Sequence, residues 1–397
     1  MKNLSLKLYL EINKLNYIFF VIENNNENFI KVDYKLVIPL SGIENSRITD
    51  QKKISDIVKE NIYLIEKKFN QSFSEIILIL DNFNPNFINF TGYKKLNGSQ
   101  ILRENITYIL NTLKSCVDKT EKNKNILHIF NTNFSLDKKK INNLPIGLFG
   151  DFYSHEISFN LINKNDFKNL ENIFTNCNLK IKRIFLKSFL SGATISDNNK
   201  DNETFFKIKV NNNCSKIFYF ENNSLKYEQD FQFGSDLIIK DISKITSLKK
   251  NVVEMIVNEI IFNKDISKEE LINKDLFKDT AYRKIKKKLI YEIALARIEE
   301  IADIIIFKNI NIDYYNNQSN VIFLEIDNGL HSRSLKEVFI ETFKRNNHEV
   351  KFLDKLSDEK MFKTVNKLVH FGWKKEAIPI SQPKKSLIAR FLGSIFD

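Results

Sequence analysis

Glycine is unusually rare in this chain, which has 10 glycines among 397 residues. An average usage of about 7% predicts about 28. The sequence contains no GxGxxG and no GxxxxGK motif, and its closest glycine pair is Gly147 and Gly150. Phosphate-cradling loops need glycine because backbone N–H groups must approach the ligand without a Cβ in the way. The common glycine-rich nucleotide loops are therefore excluded.

Cysteine and long apolar runs are also scarce. Three cysteines occur without the spacing of metal ligands: Cys116, Cys177 and Cys214. Their odd number and spacing predict reduced cytosolic thiols. Apolar runs such as Ile76–Leu80 and Ile304–Phe307 are far shorter than the ~20 residues that cross a bilayer. Met1 and Lys2 lead directly into an alternating strand, so no signal peptide is expected.

Motifs for hydrolysis and for metal binding are missing as well. The five histidines have no HExxH spacing or triad-like company, and no GxSxG elbow occurs. We therefore predict no catalytic residue and no metal ligand.

Positive charge is in excess, with 61 Lys and Arg against 49 Asp and Glu, a net charge of +12. This balance permits contact with nucleic acid or an anionic membrane and proves neither. The densest basic run, Arg283–Lys288, is expected on a helix, either as a solvated face or as a site for an acidic partner segment or nucleic acid. Exposed aromatics interleaved with arginine are not evident, so we predict no nucleic-acid partner.

Hydrophobic periodicity predicts an α/β protein whose opening pattern occurs twice. Alternating strands at residues 4–12, 17–22 and 29–40 precede a helix and a buried strand at 76–80. A second set of three strands begins at Phe206, some 200 residues later, which predicts a duplicated fold. Between the sets we expect irregular structure after Asp81 and a helix from about Ser99 to Cys116. The longest helix is expected from about Thr280 to Lys308.

The predicted organisation has six parts. Residues 1–81, 159–195 and about 346–372 form a first subdomain, 82–158 an inserted α/β module, 196–235 and 310–345 a second subdomain, 236–309 a helical insert, 373–383 a linker, and 384–397 a terminal helix.

The last segment has the pattern of an amphipathic helix. Its large apolar residues recur in adjacent pairs four apart: Leu387, Ile388, Phe391, Leu392, Ile395 and Phe396. Basic residues accompany this arc: Lys384, Lys385 and Arg390. Such a helix is too short to cross a bilayer, but it can lie in an anionic membrane surface. The alternative is a helix docked on the protein's own core. Two prolines in the segment before it favour an extended tether and hence the membrane.

Three segments, taken with this element order and the tail, resemble the actin-like bacterial cell-division protein FtsA. They are residues 126–150, which include Leu144-Pro-Ile-Gly-Leu-Phe-Gly150; 231–242, which contain Gly234; and 293–301, which contain Arg297 and Glu300. The resemblance implies a duplicated actin-like (ribonuclease-H-like) fold with a small α/β insert in the first half and a helical insert in the second.

The resemblance also implies a function. The protein would tether the FtsZ ring to the cytoplasmic face of the inner membrane at mid-cell, form actin-like filaments and recruit later division proteins. The FtsZ C-terminal peptide would bind near Arg297 and Glu300. Two alternatives stay open: an actin-like scaffold of type IV pilus assembly, and an active ATPase or sugar kinase of the same fold.

The residues that would bind nucleotide depart from the FtsA pattern. Where that family has aspartates and glycines in its second phosphate hairpin, this chain has Lys209, Asn211, Asn212, Asn213 and Lys216. In the first phosphate loop, Glu11 and Asn13 stand where the family has aspartate and glycine, and the adenosine loop keeps one glycine, Gly329. Lysine cannot coordinate Mg²⁺, but it can meet phosphate oxygens as a point charge. No cofactor is certain. Hydrolysis of ATP, ATP binding without hydrolysis, and an empty cleft are the three possibilities.

Overall fold

A computed structural model describes residues 5–26, 29–199, 201–262, 265–277, 281–316, 319–327 and 333–377. Its strands are β1 Ser5–Ile12, β2 Asn16–Asn26, β3 Phe29–Pro39, β4 Ile43–Glu44, β5 Arg47–Ile48, β6 Glu75–Leu80, β7 Asn86–Lys95, β8 Lys124–Leu136, β9 Lys139–Ile141, β10 Phe152–Asn163, β11 Lys180–Leu186, β12 Phe205–Val210, β13 Ser215–Glu221, β14 Ser224–Phe231, β15 Val321–Ile326 and β16 Glu349–Leu353.

The α-helices are α1 Gln51–Phe69, α2 Arg103–Thr120, α3 Lys164–Asn176, α4 Lys187–Asn198, α5 Asp236–Thr246, α6 Lys250–Glu259, α7 Lys287–Ala302, α8 Asp313–Asn316, α9 Arg333–Phe343 and α10 Asp358–Phe371. A π-helical turn, Asp303–Phe307, continues α7. No helix within these residues is long and apolar enough to cross a bilayer.

The described residues divide into two compact units. The first contains those of 1–200, 221–226 and 357–377, and the second those of 201–220 and 227–356. The first unit holds a five-stranded sheet of order β11-β6-β1-β2-β3, in which β1 is antiparallel to β2 and parallel to β6. Phe362 of α10 packs against Tyr9 and Phe20, with ring centroids 5.0 and 4.7 Å apart. The aromatic contacts therefore fix α10 on this sheet.

The second unit holds a sheet with the same order, β16-β15-β12-β13-β14. Its strand β12 is antiparallel to β13 and parallel to β15, as β1 is to β2 and β6. The equivalent order of the two sheets confirms the duplication. Apolar side chains of α5, α6, α7 and α9 form one core with this sheet.

The inserted module is a second sheet of the first unit, of order β7-β10-β8-β9, with antiparallel neighbours. Helix α2 covers one face of it through Ile109, Leu110 and Val117. A Cβ at Gly92 would stand 2.4 Å from Ile109 Cγ2, so the close approach of this helix to β7 requires glycine there.

Several predicted elements are corrected by the structure. The segment after Asp81, predicted to be irregular, contains the ten-residue strand β7, and α2 begins about four residues later than predicted. Strand β16 lies beside β15 in the second sheet, although residues 346–372 were assigned to the first subdomain. Only α10 of that segment lies in the first unit.

The long helix predicted from about Thr280 begins only at Lys287, so the first four residues of the basic run precede it. Ile272 donates its N–H to the carbonyl of Ile285, and Lys287 donates to Glu270, so this stretch pairs with residues 270–272 before α7 begins. The amino group of Lys287 also contacts the Glu270 carboxylate, which accounts for part of the basic run within the fold.

Asparagine occupies many of the left-handed turn positions where glycine is usual. Positive φ angles occur at Asn70, which ends α1, at Asn97, and at the pairs Asn222–Asn223 and Asn346–Asn347. Asparagine tolerates this conformation better than most residues because its short amide can bond to the local backbone. This substitution explains how a glycine-poor chain still makes tight turns.

Residues 373–377, which we call the C-terminal root, are built into the first unit. The N–H of Asn131 donates to the Lys375 carbonyl and that of Ala377 donates to the Ile129 carbonyl, each over 2.7 Å. The root thereby pairs with β8 through one antiparallel bridge, between Phe130 and Glu376. The Trp373 indole donates to the Asn223 carbonyl over 2.7 Å and is buried.

A buried ion pair locks the root in place. The carboxylate of Glu376 contacts the Arg183 guanidinium and lies 3.2 Å from His128 Nδ1, and the three side chains are at most 2% exposed. Arg183 also donates to the Leu368 carbonyl of α10. Burial alone would raise the pKa of Glu376, but its contacts with His128 and Arg183 outweigh burial and lower it. Burial holds the pKa of His128 below its ordinary value, so this histidine is neutral at pH 7.

We expect Glu376→Gln to lower the free energy of unfolding by about 3 kcal/mol, because it leaves the Arg183 cation buried without its counter-ion. Urea unfolding at pH 7 measures this loss. The matched control is Glu75→Gln, which breaks a pair with Lys182 whose side chains are 41–45% exposed. That change should cost less than about 0.5 kcal/mol. Equal losses in the two variants would contradict the locking role of Glu376.

Candidate functional site

The first phosphate-loop position is the turn between β1 and β2, in the first unit. Asn13 Oδ1 accepts the N–H groups of Leu15 and Asn16 at 2.9 and 2.8 Å. The turn amides are thus bonded by the chain's own side chain. Glu11 Oε1 lies 2.5 Å from Lys187 Nζ, so its buried carboxylate is neutralised within the same unit.

The second hairpin position, the turn between β12 and β13, is filled in a similar way in the second unit. The carbonyls of Asn211 and Asn212 accept the N–H groups of Ser235 and Asp236, at the start of α5, over 3.0 and 2.9 Å. A Cβ at Gly234 would stand 2.0 Å from the Asn211 oxygen, which requires glycine at that position. Helix-start amides that could bind an anion are therefore directed to the hairpin carbonyls.

The lysines that replace the family's aspartates are paired with carboxylates. Lys209 Nζ lies 3.1 Å from Glu325 Oε1, on the neighbouring strand β15. Lys216 Nζ lies 3.4 Å from oxygens of both Glu228 and Asp230 on β14. These contacts neutralise both lysines inside their own sheet, which weakens them as binding groups for phosphate.

Glu325 is the centre of this charge cluster. Its second oxygen lies 2.9 Å from Nζ of Lys207, whose side chain is only 5% exposed. Burial raises the pKa of Glu325, but Lys207 and Lys209 overcome this effect and lower it to about 2. Both carboxylate oxygens are thus taken by ammonium groups and are not placed to coordinate Mg²⁺. In the described part of the chain, no group of three His, Cys, Asp or Glu residues is placed to hold a metal ion.

Arg297 and Glu300, which the resemblance to FtsA assigns to partner binding, both lie on α7. Arg297 Nη1 lies 2.5 Å from Glu300 Oε2, and its Nε contacts the Asp241 carboxylate of α5. The Arg297 side chain is 24% exposed. Its guanidinium links two helices of the second unit and still reaches the surface. Gly329 and the predicted membrane-binding residues, 384–396, lie outside the described residues.

Sequence patterns did not identify Glu325, Glu376 or Arg183 as the centres of the buried charge clusters. The sequence does carry one indication of the Glu325 cluster. Lys207 and Lys209 alternate with apolar residues and share one face of a buried strand. Such lysines need a carboxylate nearby, but the sequence does not say which one.

Comparison with known proteins agrees with this architecture. No family model matches the chain. FtsA of Buchnera aphidicola subsp. Schizaphis graminum is 21% identical over 308 residues, which cover 77% of this chain and 73% of that protein. FtsA of Buchnera aphidicola subsp. Baizongia pistaciae is 22% identical over 290 residues, covering 72% and 67%. A solved chain of the PilM–PilN type IV pilus biogenesis complex superposes with a TM-score of 0.50 over 92% of this chain and 98% of that one, at 9% identity.

The two mixed five-stranded sheets and this superposition define an actin-like α/β fold. Within that class, the chain is a distant homologue of the cell-division protein FtsA, over about three quarters of its length.

We expect Glu325→Gln to destabilise the second unit by roughly 3 kcal/mol at pH 7, since it leaves two lysines without their shared anion. The pKa of Glu325 is depressed, so its contribution is complete above about pH 4.5 and is lost as the pH falls towards 2. Urea unfolding of the parent and of Glu325→Gln from pH 7 to pH 3 measures this effect. The difference between their free energies of unfolding should shrink in acid.

The control for this experiment is Glu349→Gln on β16, whose carboxylate is 57% exposed and lies 3.2 Å from Lys351. It should change the free energy of unfolding by less than about 0.5 kcal/mol. A difference that grew in acid would contradict the assignment of Glu325 as the shared anion.

Proposed function

We propose that this chain is a cell-division protein that attaches the FtsZ ring to the cytoplasmic membrane through residues 384–397 and helps to recruit later division proteins. Its place is then the cytoplasmic face of the membrane at the division site. The observation that carries this proposal is the distant homology to FtsA over about three quarters of both chains. The similarity to the pilus complex concerns the fold alone.

The body acts in this proposal as a scaffold without ATP hydrolysis. Both hairpins satisfy their polar groups internally, and Lys209 and Lys216 are paired with carboxylates where the FtsA pattern has aspartates. An active ATPase or kinase would need a metal-binding carboxylate at these positions. Filaments of such a scaffold would serve to multiply weak membrane contacts.

The tail supplies the membrane attachment in this proposal. Its six large apolar residues gain free energy on burial, but partial burial and the cost of ordering the segment offset most of that gain. Lys384, Lys385 and Arg390 contribute about 1 kcal/mol each against anionic lipid. One tail therefore binds weakly, and two or more tails on one assembly bind firmly.

Co-sedimentation with anionic vesicles tests the proposal. The parent should bind steeply with protein concentration, and Phe391→Glu should abolish binding because it places a charge in the apolar arc. Ser386→Glu, which adds the same charge on the face opposite the apolar arc, should bind within a few fold of the parent. Unchanged sedimentation of Phe391→Glu would overturn the attachment through this tail.

The FtsZ contact has a separate test at Arg297. A labelled FtsZ C-terminal peptide titrated against Arg297→Ala should bind about tenfold more weakly, the loss expected for one charge-assisted hydrogen bond. Asp241→Asn keeps the Arg297 cation and removes a competing carboxylate, so its affinity should be equal or higher. If both variants bind as the parent does, Arg297 only links α5 to α7.

A further inference from the structure

The hairpin between β8 and β9 carries three consecutive exposed lysines: Lys138, Lys139 and Lys140. Asp137 and Lys138 form its turn with positive φ angles, and Lys139 pairs with Leu136. Among the described side chains, none of the three lysines forms a salt bridge with a carboxylate. Their charges are therefore available to an external anion.

Large apolar side chains stand beside this hairpin. Leu148, Phe149 and Phe152 are 48%, 69% and 42% exposed. The N–H of Asp137 donates to the Phe152 carbonyl over 2.9 Å, which fixes the loop before β10 against the hairpin. The nearby Asp137 carboxylate accepts the N–H groups of Asp151 and Phe152, so its charge is directed into the loop.

The C-terminal root lies on the same edge of the same strand. Strand β10 pairs along one side of β8, so the other side is shared by β9 and the root. Leu136 pairs with Lys139 and Phe130 with Glu376, which separates the two segments by about 20 Å along the strand. Lys375 Nζ narrows this gap by donating to the Asn142 carbonyl over 3.2 Å. The root runs antiparallel to β8, so its last residue, Ala377, lies opposite Ile129 on the same edge of the strand and farther from the lysine hairpin than Lys375 does.

We propose that this end of the inserted sheet, residues 138–140 with 148–152, is a second membrane contact that binds an anionic lipid surface. Exposed lysines next to exposed phenylalanine and leucine have the composition of an interfacial contact, with cations for lipid phosphates and rings for the headgroup boundary. The buried Glu376 pair holds the root on this edge. Residues 378–383 span up to about 20 Å when extended, a length that allows the tail and the hairpin to contact one membrane. The inference rests on the membrane attachment proposed above and extends it from the tail to the body.

The full-length chain with Lys138→Glu, Lys139→Glu and Lys140→Glu tests this contact. Sedimentation with vesicles of phosphatidylcholine and phosphatidylserine at low salt should weaken roughly tenfold or more. The control carries Lys52→Glu, Lys53→Glu and Lys59→Glu on α1, which are exposed lysines of the same unit, and has the same net charge. It should weaken binding only a few fold, through net charge alone.

A second measurement reads the contact directly. Phe149→Trp places an indole within the proposed contact. Vesicles with brominated acyl chains should then quench its fluorescence. Tyr63→Trp on α1, a position 63% exposed, should not be quenched, and the native Trp373 is buried in both variants.

The outcomes separate this inference from the proposed function. If the parent binds through its tail while the two triple variants bind equally and Phe149→Trp is not quenched, the body contact is wrong and the tail attachment stands. If the parent does not bind anionic vesicles, both fall. If residues 138–140 and 148–152 bind an acidic protein instead of lipid, the two triple variants will bind equally and Phe149→Trp will not be quenched, because the vesicles contain no protein.

Discussion

The first unit depends on one buried carboxylate. Glu376 faces the Arg183 cation of β11 and the His128 ring of β8, while Arg183 also bonds to the last turn of α10. One side chain thereby joins the inserted sheet, the main sheet and the C-terminal root. A charge buried this deeply is costly without its partners, so the contact defines a single arrangement of these segments.

The second unit follows the same rule, with two lysines around one carboxylate. Two lysines of β12 contact the carboxylate of Glu325, and one of them, Lys209, stands where the FtsA pattern has an aspartate. The hairpin between β12 and β13 still contacts α5. Its carbonyls accept the N–H groups at the start of that helix, so these groups are bonded within the chain. Retention of the fold with backbone groups bonded within the chain suits the scaffold proposed above, whose function would depend on its shape and surface.

Local periodicity predicted most of the fold, because buried strands and amphipathic helices leave a regular apolar pattern. Strand β7 was missed because it lies at a sheet edge and its side chains are half-buried or exposed along its whole length. A helix is predicted for the whole basic run because lysine favours helices. Its first four residues precede α7 instead, where Lys286 pairs with Leu271. Pairs such as Glu376 with Arg183 join residues nearly 200 positions apart, and no local pattern encodes such a contact.

The asparagine-rich turns have a chemical consequence. An asparagine side chain followed by a small residue can cyclise onto the next backbone nitrogen and hydrolyse to aspartate or isoaspartate, and asparagine is accordingly among the thermolabile residues. Asn97 precedes Gly98 in an exposed turn, and both have positive φ angles. This turn is therefore a place where deamidation of the protein is expected. Each deamidation replaces a neutral amide by a carboxylate. The net positive charge of the protein therefore decreases with time.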